Sequence, residues 1–274
     1  MILRGSREIE ERINQADRLW LFLDYDGTLA EFAPTPEHVH RQPEVVALLT
    51  SLAQHPDVRV AVISGRGLGQ IEELVPVPQA ILAGTYGVQL RLPGGKRVDR
   101  ASYDEVRPVL EAIKARWEGL IADRDGFFLE DKGWALAIHA KLAAEGEARS
   151  VLDAARKMMP GAEEARVSDA FRVLDGHKFL EIGPALAHKG KTVAYLLERH
   201  PWRGALPIYV GDDDKDAEAF SVIQARGGIA VRVGEAPCAA PCAGTADATL
   251  PSPADVRRWL AGLPGQLKAH PAGT

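Results

Sequence analysis

Two aspartates, Asp24 and Asp26, end a short apolar run in the segment LWLFLDYDGTLAEF (residues 19–32), separated by one tyrosine. Two carboxylates this close do not both ionise easily unless a cation is bound or one of them keeps its proton. Such a pair can bind Mg²⁺, attack an electrophile or move a proton. Gly27 and Thr28 let the chain turn directly after the pair. An ordinary polar turn is the alternative, and the remaining motifs argue against it.

Two further segments carry groups suited to binding an anion. VISGR (residues 62–66) ends another apolar run with Ser64, whose hydroxyl and backbone N–H could hold a phosphoryl oxygen, although a Ser-Gly pair alone is more often only a turn. AHKGK (residues 187–191) begins a helical pattern with Lys189 and Lys191. Because the helix dipole disfavours cations at this end, a lysine here suggests a bound anion, with a solvated surface lysine as the alternative.

An acidic cluster follows a third apolar run in YVGDDDKDAEAF (residues 209–220). Capping of the next helix by an aspartate would explain one or two of its acids, but not all four. A hard cation would make the whole cluster tolerable. The acids concerned are Asp212, Asp213, Asp214 and Asp216.

The elements that must position these groups alternate between strand and helix. The first third of the chain reads as strand, helix, strand, helix, strand, which predicts a parallel sheet with right-handed crossovers. Ligands of such sheets bind beyond the carboxyl ends of the strands, where all the candidate groups would lie. The predicted elements are residues 19–23, 43–55, 58–65, 68–75 and 80–84.

The pattern changes near residue 105. A helix over 103–121, an alternating strand within 126–140, a helix near 145–158 and a hairpin at Asp175-Gly176 predict an αββαββ unit. The α/β rhythm then resumes to the end of the chain. The chain is therefore expected to hold a core domain, residues 1–104 and 184–274, interrupted by an inserted α+β domain, residues 105–183.

Composition narrows the function class. The chain has 274 residues, 46% of them hydrophobic, and a formal net charge of −5, so it is expected to be globular and to bind small molecules instead of nucleic acid or membranes. The charged start MILRGSREIEERIN and the lack of a long apolar segment predict a cytoplasmic protein. Cys238 and Cys242 are expected to be free thiols in a loop.

The motifs together resemble those of the haloacid dehalogenase superfamily of phosphatases: DYDGT, SGR, the lysine of HKGK, and GDDDKD, in that order. The resemblance implies an α/β fold with a Rossmann-like parallel sheet core and a cap of type C2. Within the superfamily the chain is most similar to trehalose-6-phosphate phosphatases, over about residues 19–235. The segments LEDKG, FLEIGP and PIYVGDD also carry this similarity.

The resemblance implies a role for each candidate residue. Asp24 would attack phosphorus and form an aspartyl phosphate, and Asp26 would serve as acid and then base. Ser64 and Lys189 would bind the phosphoryl oxygens, while a cap would close over the substrate. Mg²⁺ would be held by Asp24, the carbonyl of Asp26, and Asp212. Supporting residues around the metal or Lys189 would be Thr28, Asp213 and Asp216. Substrate-binding residues would be Gly65, Arg66, Glu130, Lys132 and Glu181, of which the last three could equally be solvated strand or hairpin residues.

Three positions depart from the family pattern. The family usually has His where this chain has Tyr86, Arg where it has Gly183, and Thr where it has Lys215. The first two lie where substrate would be sensed, so a sucrose- or glycosylglycerate-type phosphate stays an alternative substrate. A catalytically silent sugar-phosphate sensor is a further alternative, but such a protein would be expected to have lost one of the core motif residues, and none is missing.

Overall fold

The computed structural model describes residues 7–32, 40–159, 170–234 and 245–267 of the chain. Its contacts separate two compact units, one formed by the described residues of Met1–Val98 and His188–Thr274, the other by those of Asp99–Ala187. The sequence-based boundaries at 105 and 183 lie inside the second unit. Cys238 and Cys242 lie outside the described residues. Across the described ranges, every helix is too short or too polar to cross a membrane.

The first unit is built on an eight-stranded sheet in the order β12-β11-β10-β1-β2-β3-β4-β5, with parallel pairing from β12 through β3. The predicted α/β fold with a parallel sheet core is therefore confirmed. Numbered along the whole chain, the strands of this sheet are β1 (Arg18–Leu23), β2 (Val58–Ile63), β3 (Ile81–Gly84), β4 (Gln89–Arg91), β5 (Arg97–Asp99), β10 (Ala205–Gly211), β11 (Ile229–Val233) and β12 (Ala248–Leu250).

Helices cover both faces of this sheet, which explains the continuous apolar runs. Along β1, Leu19 and Leu21 belong to the apolar cluster of one face, while Trp20 and Phe22 belong to that of the other. α6 and α7 contribute to the second cluster and the other helices to the first. The helices of this unit are α1 (Arg7–Gln15), α2 (Pro43–Gln54), α3 (Leu68–Leu74), α6 (Lys189–Arg199), α7 (Asp214–Ala225) and α8 (Pro253–Gly262).

The strand register brings the motif-bearing loops to one edge of the sheet. Leu23, the last residue of β1, is paired with Val210 of β10 on one side and with Val62 of β2 on the other. The backbone N–H of Asp24 donates to the carbonyl of Val210 (2.9 Å). Residues that follow these three strands are therefore neighbours, as expected of parallel strands.

The second unit has the predicted order αββαββ. Its antiparallel sheet runs β6-β7-β9-β8, and the two helices pack together, with the buried indole N–H of Trp117 donating to the carbonyl of Ala155 (3.0 Å). The connections from β6 to β7 and from β8 to β9 are too short for a crossover, so these two pairs must be antiparallel. The elements are α4 (Tyr103–Ile121), β6 (Phe128–Asp131), β7 (Leu136–His139), α5 (Glu145–Lys157), β8 (Phe171–Gly176) and β9 (Phe179–Pro184).

The hairpin between β8 and β9 turns two residues later than the sequence predicts. Asp175 and Gly176 still belong to β8, and the turn lies at His177 and Lys178. Lys178 has a φ of +55°. A turn at Asp175-Gly176 would have paired Val173 with Lys178. The observed register pairs Val173 with Ile182, so apolar cross-strand packing overrides the Asp-Gly turn signal. Sequence reasoning also missed α1, β4, β5 and β12, of which the three strands have only three residues each.

Candidate active site

Asp24 lies in a buried, charged environment at the end of β1. Its residue exposure is 5%, and one carboxylate oxygen lies 3.0 Å from the Nζ atom of Lys189. Burial raises the pKa of Asp24 to about 8, against the opposing effect of Lys189. The carboxylate is therefore poised to ionise fully when positive charge reaches it, which suits a nucleophile or a metal ligand.

Lys189 is the first residue of α6 and connects the candidate groups. Its Nζ atom lies 2.6 Å from Asp216, 3.0 Å from Asp24 and 3.8 Å from Asp213. Burial would lower the pKa of Lys189, but these carboxylates, Asp216 above all, raise it well above its usual value. The ammonium group is therefore permanently charged. The predicted placement of this lysine at a helix N-terminus is borne out.

Asp216 is completely buried and holds both Lys189 and the preceding loop. One carboxylate oxygen accepts from Lys189 and from the hydroxyl of Tyr209 (2.7 Å), and the other accepts the backbone N–H groups of Asp212 (3.1 Å) and Asp213 (3.0 Å). A Cβ atom at Gly211 would overlap this carboxylate, so only glycine fits there. Asp216 is thus positioned to orient Lys189.

The carboxylates of Asp24, Asp212 and Asp216 form a group that could hold a metal ion. One oxygen of each lies within 4.8 Å of the others. Burial, with the charges of Asp216 and Asp213, raises the pKa of Asp212 to about 6. One carboxylate oxygen of Asp212 accepts a hydrogen bond from the hydroxyl of Thr28 (2.9 Å). An all-oxygen donor set with excess negative charge fits a hard divalent cation.

Asp213 has a structural role as well as a charge. Its carboxylate caps α7 by accepting the backbone N–H groups of Lys215 (2.9 Å) and Asp216 (3.1 Å), as helix capping predicts for one acid of this cluster. Burial would raise its pKa, but Lys189 and Lys215 hold the pKa of Asp213 well below its usual range. The departure at Lys215 thus supplies a cation 3.0 Å from Asp213.

Asp26 is held by Arg66 from the loop after β2. The guanidinium group donates to both carboxylate oxygens, at 2.7 and 2.8 Å, a bidentate pairing that fixes the orientation of both side chains. Asp26 thus pairs with Arg66, whereas Lys189 pairs with Asp24, Asp213 and Asp216. The sequence assigned Arg66 to the substrate, and gave no indication of this partner.

Ser64 and Gly65 lie beside Tyr86. Ser64 is buried, its hydroxyl accepts the backbone N–H of Arg66 (3.2 Å), and its carbonyl accepts that of Tyr86 (2.8 Å). A Cβ atom at Gly65 would lie 2.7 Å from the hydroxyl oxygen of Tyr86, so glycine is required where the phenol packs. Tyr86 itself has a φ of +55° and its carbonyl accepts from Thr192 (2.7 Å).

A charged cluster lies on the sheet of the second unit. The Nζ atom of Lys132 is 2.6 Å from Glu181 Oε2 and 3.7 Å from Glu130 Oε2, so the structure brings together the three residues that the resemblance assigned to the sugar. Glu181 is 1% exposed, and its Oε1 atom is buried with no hydrogen-bond partner among the described residues. Gly183, the third family departure, is paired across the strands with Arg172.

Two residues of these sites carried no recognisable signal. Tyr209 sits inside an apolar strand, where an aromatic residue reads as core. His139 follows another apolar strand pattern, yet its ring lies 2.9 Å from Glu130. Tyr209 contacts Asp216 of the helix that follows its strand, and His139 contacts Glu130 across paired strands, so only the folded structure shows that each touches a charged site residue.

Comparisons with known proteins agree with this geometry. A family model described as trehalose-phosphatase matches residues 22–248. A probable trehalose-phosphate phosphatase of Sinorhizobium fredii is 32% identical over 221 residues, which cover 80% of this chain and 78% of that protein. A trehalose-phosphate phosphatase of Mycobacterium avium is 34% identical over 76% of this chain, which spans about half (51%) of that relative.

A solved structure shows the same fold. The C-terminal domain of a C. albicans trehalose-6-phosphate phosphatase aligns with a TM-score of 0.80, at 20% sequence identity, over 96% of this chain and 98% of that one. At this identity the likeness concerns the fold alone. It covers both the parallel sheet unit and the inserted αββαββ unit.

Proposed function

The chain belongs to the trehalose-phosphatase family, and from that premise we propose that it is a Mg²⁺-dependent phosphatase that hydrolyses trehalose 6-phosphate to trehalose and phosphate. One observation carries the proposal. Asp24, a buried carboxylate at the carboxyl edge of the sheet, lies 3.0 Å from a permanently charged lysine and within a cluster of three carboxylates. This arrangement suits phosphoryl transfer, in which a nucleophile and positive charge must meet at one phosphorus atom.

Asp24 is the proposed nucleophile. Its carboxylate oxygen would form a bond to phosphorus as the bond from phosphorus to the sugar oxygen breaks, leaving an aspartyl phosphate that water then hydrolyses. Lys189 would bind phosphoryl oxygens, where negative charge develops, and the buried hydroxyl of Ser64 would donate to another. Asp216 supports this role because its carboxylate, 2.6 Å from Nζ, holds the ammonium group beside Asp24.

Asp24 and Asp212 would hold the metal ion, with the backbone carbonyl of Asp26 as a further ligand. When bound, Mg²⁺ supplies positive charge that lowers the repulsion between the carboxylate nucleophile and the phosphate. Thr28 fixes one oxygen of Asp212 by its hydrogen bond of 2.9 Å. Asp213 and Asp216 would remain outside the ligand set, since each is already bound to α7, to its loop or to Lys189.

Asp26 is the proposed acid and base. It would first protonate the departing sugar oxygen and then take a proton from the attacking water, so that its protonation state is restored after each turnover. The bidentate contact with Arg66 fixes the orientation of the carboxylate but also occupies both of its oxygens. The same contact would have to loosen or accommodate the proton during turnover, which gives Arg66 a role beside the one in substrate binding that the sequence suggests.

The charged cluster of Glu130, Lys132 and Glu181 is the proposed binding site for the sugar. Sugar hydroxyls both donate and accept, and a carboxylate–ammonium–carboxylate row offers both kinds of partner. The Oε1 atom of Glu181, buried with no partner in the described part of the chain, supports the proposal because an unpaired buried carboxylate oxygen is costly and a hydroxyl would satisfy it.

The test of the function is phosphate release from a panel of sugar phosphates, with and without Mg²⁺. Trehalose 6-phosphate should give the highest kcat/KM, and a chelator should abolish release. A higher kcat/KM for a sucrose- or glycosylglycerate-type phosphate would show that trehalose 6-phosphate is not the preferred substrate, but the protein would still be assigned as a phosphatase. The absence of release from every ester, with Mg²⁺ present, would favour the silent sensor.

Truncation of the charged cluster should impair the sugar substrate selectively. We expect Glu181→Ala, Glu130→Ala or Lys132→Ala to lower kcat/KM for trehalose 6-phosphate about a hundredfold, because each removes a charged hydrogen-bonding partner of the substrate. Hydrolysis of a small aryl phosphate, which has no sugar hydroxyls, should change little. Glu147→Ala, at an exposed ion pair with Arg124 on the same unit, serves as the matched control. Equal losses on both substrates would show that the cluster only stabilises its unit.

The stabilisation of the protein by Mg²⁺ should increase with pH. Burial raises the pKa of Asp24 to about 8 and that of Asp212 to about 6, so protons compete with the cation at both carboxylates at pH 6, and much less at pH 8. Without metal, the raised pKa values also mean that folding stability declines as pH rises through this range. The rise in Tm on adding Mg²⁺ should therefore be larger at pH 8 than at pH 6. An equal or smaller rise at pH 8 would contradict the assignment of these ligands.

A further inference from the structure

His139 is enclosed by aromatic rings on the sheet of the second unit. It ends β7 with 7% residue exposure. Its imidazole stacks on Phe128, with ring centroids 4.3 Å apart and planes inclined by 8°, and also touches Phe179, with centroids 5.3 Å apart. The cross-strand register places all three side chains on the same face as Glu130 and Glu181. The ring is therefore fixed by packing.

The polar contact of His139 is to Glu130. The Nε2 atom lies 2.9 Å from Glu130 Oε2, while Nδ1 is buried with no hydrogen-bond partner among the described residues. An ionised carboxylate only accepts hydrogen bonds, so the ionised form of Glu130 selects the tautomer in which Nε2 carries the hydrogen. The histidine thus uses one nitrogen on Glu130 and leaves the other unsatisfied.

This arrangement has a cost that packing does not explain. A phenyl ring would stack on Phe128 as well as the imidazole does, without burying an unpaired nitrogen. What histidine adds at this position is the N–H directed at Glu130. Lys132 cannot replace it, since its Nζ atom is 2.6 Å from Glu181 but 3.7 Å from Glu130. Each carboxylate of the cluster therefore has its own close donor: Lys132 for Glu181, and His139 for Glu130.

We propose that His139 is a positioning residue that fixes the carboxylate of Glu130 for recognition of the sugar. The inference rests on the proposed function, because it assigns His139 to the sugar-binding cluster. His139 acts through Glu130 and takes no part in phosphoryl transfer. Its effect is therefore confined to substrates that carry sugar hydroxyls.

The test compares His139→Phe, which keeps a stacked ring and removes the donor, with His139→Gln, whose amide can donate near the position of Nε2. We expect His139→Phe to lower kcat/KM for trehalose 6-phosphate about tenfold or more, and His139→Gln to retain most of it. Hydrolysis of p-nitrophenyl phosphate should stay within about twofold in both variants. His177→Phe, at the exposed hairpin turn, is the matched control. His139→Leu repeats the comparison if Phe disturbs folding, as judged by Tm.

A double-mutant cycle separates positioning from packing. In a Glu130→Gln background, His139→Phe should reduce kcat/KM by less than about twofold further, because the carboxylate that it positions is gone. Additive losses, equal losses on both substrates, or wild-type activity of His139→Phe would each overturn the inference while leaving the phosphatase assignment intact. If the wild-type protein prefers another sugar phosphate, the proposed substrate fails, and the same comparison on the preferred ester still decides the role of His139.

Discussion

Asp24→Asn is expected to abolish turnover, with kcat reduced by about a thousandfold or more, because an amide cannot become the acyl phosphate. The substitution is nearly isosteric, and Lys189 keeps its contact with Asp216 at 2.6 Å, so the fold should persist. The measurement is phosphate release from trehalose 6-phosphate at saturating Mg²⁺. Asp214→Asn, an exposed aspartate at the start of α7, is the control and should retain wild-type activity.

The substrate used makes no difference to this expectation. Sugar and aryl phosphates should fail alike, in contrast to the alanine variants of Glu130, Lys132 and Glu181, because the lost bond is the one to phosphorus. Denaturation of Asp24→Asn should give a Tm close to that of the wild-type protein without metal. Turnover near the wild-type value in a correctly folded variant would remove Asp24 as the nucleophile and require another group in the cluster.

Asp26→Asn is expected to slow both halves of the reaction, by about a hundred- to ten-thousandfold for the sugar ester. An amide can neither give a proton to the leaving oxygen nor take one from water. An aryl phosphate, whose leaving group needs little protonation, should lose less in the first step than trehalose 6-phosphate does. Rapid-quench measurement of aspartyl phosphate formation and decay separates the two steps, again with Asp214→Asn as control.

Two outcomes would change the role of Asp26. Slowing of the hydrolytic step alone would show that the sugar leaves without acid assistance. Equal losses with both esters in the first step would point to lost positioning, since Asp26 also fixes Arg66 through two hydrogen bonds of 2.7 and 2.8 Å.

The fold could be predicted from the sequence where burial leaves a clear pattern. β1 and β10 are buried on both faces, so their apolar runs are continuous and their ends are marked by acids. The αββαββ order of the inserted unit followed from helical and alternating periods. The strands of three residues were missed because so short a segment has no period, and the hairpin turn was misplaced because apolar pairing outweighed the local Asp-Gly signal.

The part of the candidate site that lies at the ends of parallel strands could be predicted from the sequence. Strand ends at one edge of a sheet must be neighbours, which places Asp24, Ser64 and Asp212 together without any coordinates. Contacts between side chains from distant segments could not be predicted in this way. The pairing of Asp26 with Arg66 and that of Glu130 with His139 depend on loop geometry and strand register, which leave no signature in composition or spacing.

The pairing of β1 with β10 has a consequence for synthesis of the chain. β1 lies in the middle of the sheet, yet Arg18 meets its partner Ala205 only after the whole inserted unit has been made. Until then the backbone edge of β1 that pairs with β10 has no partner, whereas all the strands of the inserted unit pair within that unit and can do so before β10 is made. Until β10 has been made, the core strands would therefore present an unpaired backbone edge of the kind that promotes aggregation.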